Sequence, residues 1–223
     1  MGLQVFNAVL LRVVSFALPA LPVAAAFAAE QWKWGLSPAL GLPGIVAMVA
    51  GFVVLDLAVY GQHVAMHMTP ALWRMHRVHH ADGAFDVTTG LRFHPFEILV
   101  SQAWKVAVIV LFGVPASAAL AFEIALNASA MFSHANVGLP QPLERLLRLV
   151  IVTPEMHRVH HSVEIDEQNS NFGFNFSLWD RLFATYRAQA RLPQERMAIG
   201  LAGVRDGASF PSMLWFPLAR GVS

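Results

Sequence analysis

The sequence His-Arg-Val-His-His occurs twice in this chain of 223 residues, at 76–80 and again at 157–161. Another histidine pair, His63 and His67, lies shortly before the first copy. Residues three or four positions apart share one face of an α-helix, so each group directs its imidazole rings toward a common point. The three groups therefore predict helices whose side chains converge on a metal site.

The clustered histidines are too many for one ion. Eight of the ten histidines belong to the three groups, whereas a tetrahedral zinc ion takes about four ligands. Two adjacent ions would use all eight, and two-ion sites are an established catalytic arrangement. The chain has no cysteine, which excludes thiolate ligands, iron–sulfur clusters and a cysteine nucleophile. Imidazole ligands suit zinc, copper, iron and nickel.

The composition predicts a membrane protein. Hydrophobic residues make up 56% of the chain and charged residues 13%, whereas soluble domains carry about a quarter charged residues. A net charge of +1 without a basic tract argues against a nucleic-acid partner. The length fits a single domain over 1–223, with an extra membrane helix within 1–38 and a C-terminal tail over 197–223.

Four apolar segments favour an all-α fold with about four transmembrane or membrane-inserted helices. The first, 3–29, also resembles a signal peptide. The second, 39–60, is long enough to span the ~30 Å hydrocarbon core, which takes about 20 residues. The segments 98–113 and 116–133 are shorter and are separated by residues 113–115, Gly-Val-Pro. This pair favours a tight helical hairpin that enters or crosses the membrane.

The basic residues predict the orientation. Twelve of the fifteen lysines and arginines lie in 62–97 or after residue 134. The positive-inside rule assigns both regions to the cytoplasmic side. Both histidine repeats would then lie on the same side of the membrane, as a shared site requires. We expect a bacterial inner (cell) membrane protein whose histidines face the cytoplasm.

Further polar residues are candidates for the metal shell or its support. Either His94 or His134 can complete the shell or lie just outside it. Asp56 lies on the helical face of His63 and His67, and a carboxylate at membrane depth is a functional candidate. We expect it to accept a hydrogen bond from a ligand histidine and so fix its tautomer. Other candidates for metal binding or for this supporting role are Asp82, Asp86, Glu97, Asn136, Glu155, Asn171 and Asp180.

The histidine pattern resembles the fatty acid hydroxylase / sterol desaturase superfamily of membrane-bound di-iron oxygenases. The resemblance rests on His-Val-Ala-Met-His at 63–67 and on the two His-Arg-Val-His-His copies. It is supported by four further motifs: Asp86-Val-Thr-Thr-Gly-Leu-Arg92 with His94-Pro95-x-Glu97, His134-Ala-Asn136, Asn171-Phe-Gly173, and Trp-Asp-Arg-Leu-Phe-Ala-Thr-Tyr at 179–186. It covers about residues 50–190.

The resemblance implies a membrane base of four helices and a cytoplasmic helical cap that holds two iron ions. It implies O2 as co-substrate, with electrons from a separate ferredoxin- or cytochrome b5-type reductase system. The substrate would be a lipid of the bilayer (sterol-like, fatty acyl, ether lipid or carotenoid), which is hydroxylated or desaturated in lipid metabolism. The metal ligands it implies are His63, His67, His76, His79, His80, His134, His157, His160 and His161.

Two alternative functions remain. The first is a membrane zinc-dependent hydrolase, which usually carries a general-base carboxylate within a pattern such as His-Glu-x-x-His, and this pattern is absent from the sequence. The second is a histidine-rich membrane protein that binds haem or transports metal. Haem-ligating histidines stand alone within spanning helices, whereas these histidines lie in polar segments beside charges. The spacing alone does not distinguish iron from zinc.

Overall fold

The computed structural model describes residues 20–204 and 210–218. These residues form eleven α-helices, three short 3₁₀ helices and isolated β-bridges, with no extended strand in the described ranges. The predicted all-α class is therefore confirmed. The α-helices are α1 Ala20–Gln31, α2 Leu36–Ala39, α3 Gly44–Met68, α4 Pro70–His80, α5 Pro95–Phe112, α6 Ala116–Ser133, α7 Gln141–Leu147, α8 Pro154–His160, α9 Ile165–Gln168, α10 Leu178–Leu182 and α11 Phe210–Trp215. The 3₁₀ helices are Thr89–Leu91, Gln194–Arg196 and Phe216–Leu218.

Three helices of the described residues are long and apolar enough to cross a membrane, namely α3, α5 and α6. They contain 25, 18 and 18 residues, against a requirement of about 20 for a full span. They correspond to the second, third and fourth apolar segments of the sequence. Most of the first segment, 3–29, lies outside the described residues, and α1 contains its end.

The described chain divides into two compact units. The first contains residues up to Ala58 together with Leu99–Ile124. In it, Phe52 and Phe122 make an edge-to-face contact with ring centroids 5.5 Å apart. Lys105 Nζ of α5 donates a hydrogen bond to Glu123 Oε1 of α6 at 2.5 Å, and both side chains are buried. Because an unpaired charge at membrane depth is costly, this ion pair lets both residues lie within apolar helices.

The turn between α5 and α6 is as tight as the Gly-Val-Pro sequence predicts. Gly113 has φ 64°, a left-handed conformation that glycine adopts without strain. A Cβ at Gly113 would lie only 2.5 Å from Trp34 O and from Pro38 Cδ. Glycine is therefore required both by the backbone conformation and by the close approach of the α1–α2 connection.

The second unit contains Val59–Ile98 and the described residues from Ala125 onward. Both histidine repeats end short helices that begin with Thr-Pro. Proline is favoured in the first turn because its fixed φ suits a helix and it has no N–H to satisfy. Thr153 also caps α8 by accepting a hydrogen bond from Met156 N. The Thr69-Pro70 sequence separates α3 from α4, so the histidines at 63–67 and at 76–80 lie on two different helices.

The described part of the C-terminal tail packs against α4. Arg77 is 3% exposed, and its Nη2 donates to Phe216 O at 2.7 Å. Its guanidinium also lies 4.9 Å from the centroid of the Phe216 ring. The tail therefore covers the face of α4 that carries Arg77.

Candidate metal centre

Nine histidines of the second unit lie in two groups. Within each group the ring nitrogens that can bind a metal all lie within 4.8 Å of one another. The five-histidine group contains His63, His67, His76, His80 and His160. The four-histidine group contains His79, His134, His157 and His161. The structure thus brings together all eight clustered histidines and His134.

Each repeat contributes to both groups. His76 and His80 of the first copy belong to the five-histidine group, and His79 belongs to the other. The second copy does the opposite, because His157 and His161 belong to the four-histidine group and His160 to the five-histidine group. In both copies, the first and last histidines belong to the same group, and the middle histidine belongs to the other group.

Hydrogen bonds determine which nitrogens of the five-histidine group are free to bind metal. His63 Nδ1 donates to Phe172 O at 2.8 Å. His76 Nδ1 donates to Glu97 Oε1 at 2.6 Å. In neutral imidazoles with Nδ1 protonated, Nε2 carries only a lone pair. The two Nε2 atoms nevertheless face each other at 3.1 Å, so no proton joins them and a cation between them would relieve their repulsion.

The four-histidine group shows the same arrangement. His79 Nδ1 donates to Thr89 O at 3.1 Å, and His134 Nδ1 donates to Ala130 O at 2.7 Å. Their Nε2 atoms are 3.2 Å apart. His157 Nε2 lies 3.0 Å from His134 Nε2. The Nε2 lone pairs of His79 and His134 therefore face each other, as those of His63 and His76 do in the first group.

Several other ring nitrogens are buried without a hydrogen-bond partner among the described residues. They are His67 Nε2, His80 Nδ1 and Nε2, His157 Nδ1, His160 Nε2, and His161 Nδ1 and Nε2. An unsatisfied buried polar atom costs about 1–3 kcal/mol, which a metal ion would remove wherever it bound one of these nitrogens. The donor set, all imidazole with no thiolate, therefore fits one transition-metal ion in each group.

Burial favours the neutral form of several of these imidazoles. It lowers the pKa of His134 to about 4, although the hydrogen bond to Ala130 O opposes this. It lowers the pKa of His160 to about 3, with neighbouring His76 adding to the effect. Burial and neighbouring imidazoles also lower the pKa of His79, His80 and His161 well below the usual value. Neutral imidazole is the form that binds metal, so the histidines are prepared for it at neutral pH.

A family model described as fatty acid hydroxylase matches residues 48–185 of this chain. The chain belongs to the fatty acid hydroxylase family. The matched residues include all nine histidines of the two groups and the helices that carry them.

Individual members of the family align over much of the chain. The ornithine lipid hydroxylase OlsE of Rhizobium tropici is 29% identical over 211 residues, which cover 94% of this chain and 59% of that protein. The alkylglycerol monooxygenase of Homo sapiens is 26% identical over 152 residues, 68% of this chain and 32% of that protein. The Xenopus tropicalis enzyme of the same name is 31% identical over 164 residues, which cover 70% of this chain and 31% of that protein. The alignments thus span from about a third to three fifths of these relatives. No solved structure matches the chain significantly.

In this fatty acid hydroxylase family member, one loop supplies hydrogen-bond acceptors to three histidines. We call residues 169–172 the acceptor loop. Asn169 Oδ1 lies 3.3 Å from His67 Nδ1, Ser170 O accepts from His160 Nδ1 at 2.8 Å, and Phe172 O accepts from His63. All three histidines belong to the five-histidine group, so the loop orients most of that group.

Asp180 fixes the acceptor loop. It is fully buried, and its carboxylate accepts from Phe172 N at 2.7 Å, Gly173 N at 2.9 Å and Thr185 Oγ1 at 2.7 Å. Burial raises the pKa of Asp180, and these donors oppose the rise by stabilising the anion. A Cβ at Gly173 would lie 2.9 Å from Asp180 Oδ2. The Asn-Phe-Gly and Trp-Asp-Arg-Leu motifs therefore form one support for the histidines.

Other predicted residues lie around the two groups. Asn171 has φ 53°, and its Nδ2 donates to Met156 O at 3.0 Å and to Arg187 O at 2.9 Å. Asp82 accepts from Thr89 Oγ1 at 2.8 Å and pairs with Arg92. Because Thr89 O holds His79, the first of these bonds supports the four-histidine group indirectly.

The remaining candidates are not placed within either group. His94 is buried, and its Nε2 lies 3.4 Å from Leu214 O. Asn136 Oδ1 accepts from Arg158 Nη2 at 2.8 Å. Asp86 accepts from the Thr88 N–H and hydroxyl, and Glu155 lies 3.5 Å from Arg148. Asp56 is buried on α3, seven residues before His63.

Two aromatic side chains that were not among the predicted site residues pack against the four-histidine group. Phe93 stacks on His79 with ring centroids 4.4 Å apart and an interplanar angle of 13°. Phe85 is 1% exposed, lies 5.0 Å from the His161 ring and has a left-handed φ of 41°. Such a conformation is unusual for a bulky residue and is retained where the surrounding structure requires it. The sequence carries no signal for this conformation.

Proposed function

We propose that the protein is a membrane-bound, iron-dependent hydroxylase of a bilayer lipid. The observation that carries this proposal is the pair of buried histidine groups whose lone pairs converge, within a chain of the fatty acid hydroxylase family. The names of the relatives, ornithine lipid hydroxylase and alkylglycerol monooxygenase, favour hydroxylation over desaturation.

The proposed cofactors are two iron ions, one for each group. His63, His67, His76, His80 and His160 would hold one ion, and His79, His134, His157 and His161 would hold the other. When bound, the ions supply the capacity to bind and reduce O2. Imidazole ligands suit iron as well as zinc, and the oxidative chemistry named for the relatives favours iron.

The proposed reaction consumes two electrons for each lipid molecule that is hydroxylated. A lipid C–H bond, O2, two electrons and two protons give a C–OH group and one water molecule. The electrons come from a separate donor, a ferredoxin- or cytochrome b5-type system. The cysteine-free sequence provides no thiolates for an iron–sulfur cluster of its own.

The chain's own residues orient the ligands and exclude water. Glu97, Thr89 O and the acceptor loop hold Nδ1 of several histidines, so that Nε2 points inward. Supporting acceptors of this kind typically change metal affinity or activity by about 10–100-fold. The Phe85, Phe93 and Phe172 rings cover the imidazoles and keep bulk water away from the reacting lipid.

The substrate would enter from the bilayer. Helix α3 has 25 residues, about 37 Å at ~1.5 Å per residue, which exceeds the ~30 Å hydrocarbon core. His63 and His67 lie in its last two turns, so the metal groups would sit near the headgroup region. We propose that this end of α3 faces the bacterial cytoplasm, where the arginine-rich segments would also lie.

Lipid mass spectrometry tests the proposed activity. Lipid extracts of cells that express the wild-type protein are compared with extracts of cells that express His160→Ala. We expect one lipid class, with ornithine lipids the first candidates, to gain the mass of one oxygen atom only with the wild type. Loss of two hydrogens would instead identify a desaturase, and unchanged lipids despite full iron loading would contradict the proposal.

Metal analysis of the purified protein separates the alternatives. Two irons per chain support the oxygenase. One zinc without iron supports a hydrolase, and a haem absorption band supports a haem protein. Because iron content is measured independently of turnover, the result does not depend on having the right lipid.

A further inference from the structure

Six large apolar side chains of the second unit are exposed in two neighbouring segments, 146–150 and 178–183. They are Leu146, Leu149, Val150, Leu178, Leu182 and Phe183, and each is between 51% and 64% exposed. We call them the leucine surface. Neither segment is part of a helix long enough to span a membrane. Exposed apolar residues in this number mark a surface that contacts lipid or another molecule.

Backbone contacts join the two segments into one surface. Ser177 N donates to Val150 O at 3.0 Å, and Ser177 Oγ donates to Arg148 O at 2.7 Å. Arg181 Nη2 also donates to Arg148 O at 2.7 Å. The residues that precede α10 are therefore fixed beside the residues that follow α7, so the exposed side chains of the two segments lie in neighbouring parts of the surface.

The leucine surface adjoins a membrane helix. Phe183 stacks on Tyr60 of α3, with ring centroids 5.5 Å apart and an interplanar angle of 19°. Tyr60 Oη also lies 2.8 Å from Thr185 Oγ1. Tyr60 is sixteen residues beyond Gly44, about 24 Å along the helix, which places it near the end of a ~30 Å hydrocarbon core. Tyr60 itself is buried, so it marks the depth of the neighbouring Phe183 and does not itself contact lipid.

The charges beside the leucine surface are positive. Arg145 is exposed on α7, between the buried Glu144 and the exposed Leu146. Arg181 lies between the exposed Leu178 and Leu182. Its guanidinium donates to the Arg148 and Ser177 carbonyl oxygens, and its acidic neighbour in sequence, Asp180, is fully buried. Exposed leucines flanked by arginines are typical of a segment that lies in the interface of an anionic membrane.

Another exposed apolar residue of the same unit has the opposite environment. Ile165 is 64% exposed, as are Leu146 and Leu182. Its neighbours in sequence are Glu164, Asp166 and Glu167. Arg187 and Arg191 pair with these three acids, so the surroundings of Ile165 have no excess positive charge that would attract an anionic leaflet. Ile165 therefore provides a matched comparison of equal exposure.

We propose that the leucine surface is a membrane contact: it lies in the headgroup region, with its leucines among the acyl chains and its arginines on anionic phospholipid headgroups. Its contact with Tyr60 of a spanning helix favours the bilayer over a soluble partner protein. The proposal does not depend on the reaction that the metal centre performs. It adds a second attachment to the bilayer, made by segments that do not cross it.

Single cysteines test this contact, because the natural chain has none. Leu146→Cys, Leu182→Cys and Ile165→Cys are introduced separately into the full-length protein, labelled with an environment-sensitive fluorophore and reconstituted in phosphatidylcholine–phosphatidylglycerol vesicles containing doxyl-labelled lipid. We expect several-fold stronger quenching and blue-shifted emission at 146 and 182 than at 165. Metal content equal to that of the wild type shows that each variant is folded.

The headgroup requirement is tested by charge reversal. Arg145→Glu in the Leu146→Cys background should lower the quenching in vesicles that contain phosphatidylglycerol and leave it unchanged in phosphatidylcholine alone. Equal quenching with and without the anionic lipid would overturn the role of the arginines. Water-like emission at 146 and 182 in vesicles, or a blue shift in detergent that rises with protein concentration, would overturn the membrane contact in favour of a partner protein or a second copy.

Discussion

Glu97 Oε1 accepts a hydrogen bond from His76 Nδ1 at 2.6 Å, and both side chains are buried. Within the described part of the chain, the other eight grouped histidines have uncharged hydrogen-bond acceptors or none. A carboxylate acceptor raises the basicity of the imidazole it holds. The two histidine groups therefore differ, and the carboxylate acts on the five-histidine group.

Glu97→Gln should weaken metal binding at one position only. The amide still accepts a hydrogen bond but carries no charge, so we expect about 10–100-fold weaker binding in the five-histidine group. Titration with a chelator, followed by counting of metal per chain, measures this as early loss of one ion. Glu164→Gln, an exposed acidic residue, is the control and should behave as wild type. Simultaneous loss of both ions would contradict the expected difference in metal affinity between the two histidine groups.

His134 and His94 are both buried histidines, 1% and 4% exposed, but only His134 lies in a metal group. We predict that His134→Ala loses the ion of the four-histidine group, because three imidazoles remain where there were four. His94→Ala should keep both ions. Metal content per chain, determined after purification under identical conditions, distinguishes the variants. Full occupancy in His134→Ala would remove it from the ligand set.

Removing the metal should lower the stability of the protein at neutral pH. Binding to the folded state alone contributes about 2.7 kcal/mol per ion when the metal is at a hundredfold excess over its Kd. The opposed lone pairs of His63 and His76 add a repulsion that only the metal-free form experiences. We expect a lower thermal midpoint after chelation, restored by adding ferrous iron anaerobically. An unchanged midpoint would show that the histidine groups are stable without metal.

Asp180→Ala should disturb the metal centre although Asp180 contacts no metal-binding nitrogen of the described histidines. It removes the acceptor of the buried Phe172 and Gly173 N–H groups, at a cost of about 1–3 kcal/mol for each group left unsatisfied. The acceptor loop then loses its anchor, and metal bound by the five-histidine group should be released faster. Asp180→Asn, which keeps one acceptor oxygen, should be milder. Identical release rates in Asp180→Ala and wild type would contradict this role.

Gly90 permits the close packing that orients His134. A Cβ there would lie 3.0 Å from Ala130 O and 3.2 Å from His134 Nδ1, the two atoms of one hydrogen bond. Gly90→Ala should therefore destabilise the fold by about 1–3 kcal/mol, as overpacking does, and lower the metal content of the four-histidine group. Gly61→Ala, with open space around its Cβ, should be neutral or stabilising, because alanine is the better helix former. Thermal denaturation with metal analysis compares the pair.

The sequence was most informative where side chains carry the function. Histidine spacing predicted which residues converge, and apolar length predicted α3, α5 and α6. It could not predict the acceptors at Ser170, Phe172 and Thr89, because these are backbone carbonyl oxygens, which every residue has. From the spacing alone, either His94 or His134 could complete the shell, and only the resemblance implied His134; tertiary packing places the His134 ring beside His79 and His157. The role of each as a ligand remains a prediction.

The exchange of middle histidines between the two repeats has a consequence for biogenesis. Because His79 of the first copy belongs with residues of the second, and His160 of the second with residues of the first, the five-histidine group is complete only once residue 160 has been synthesised and the four-histidine group only once residue 161 has. The helices α3, α5 and α6 all end before residue 134, so they are synthesised before either group has its full set of histidines.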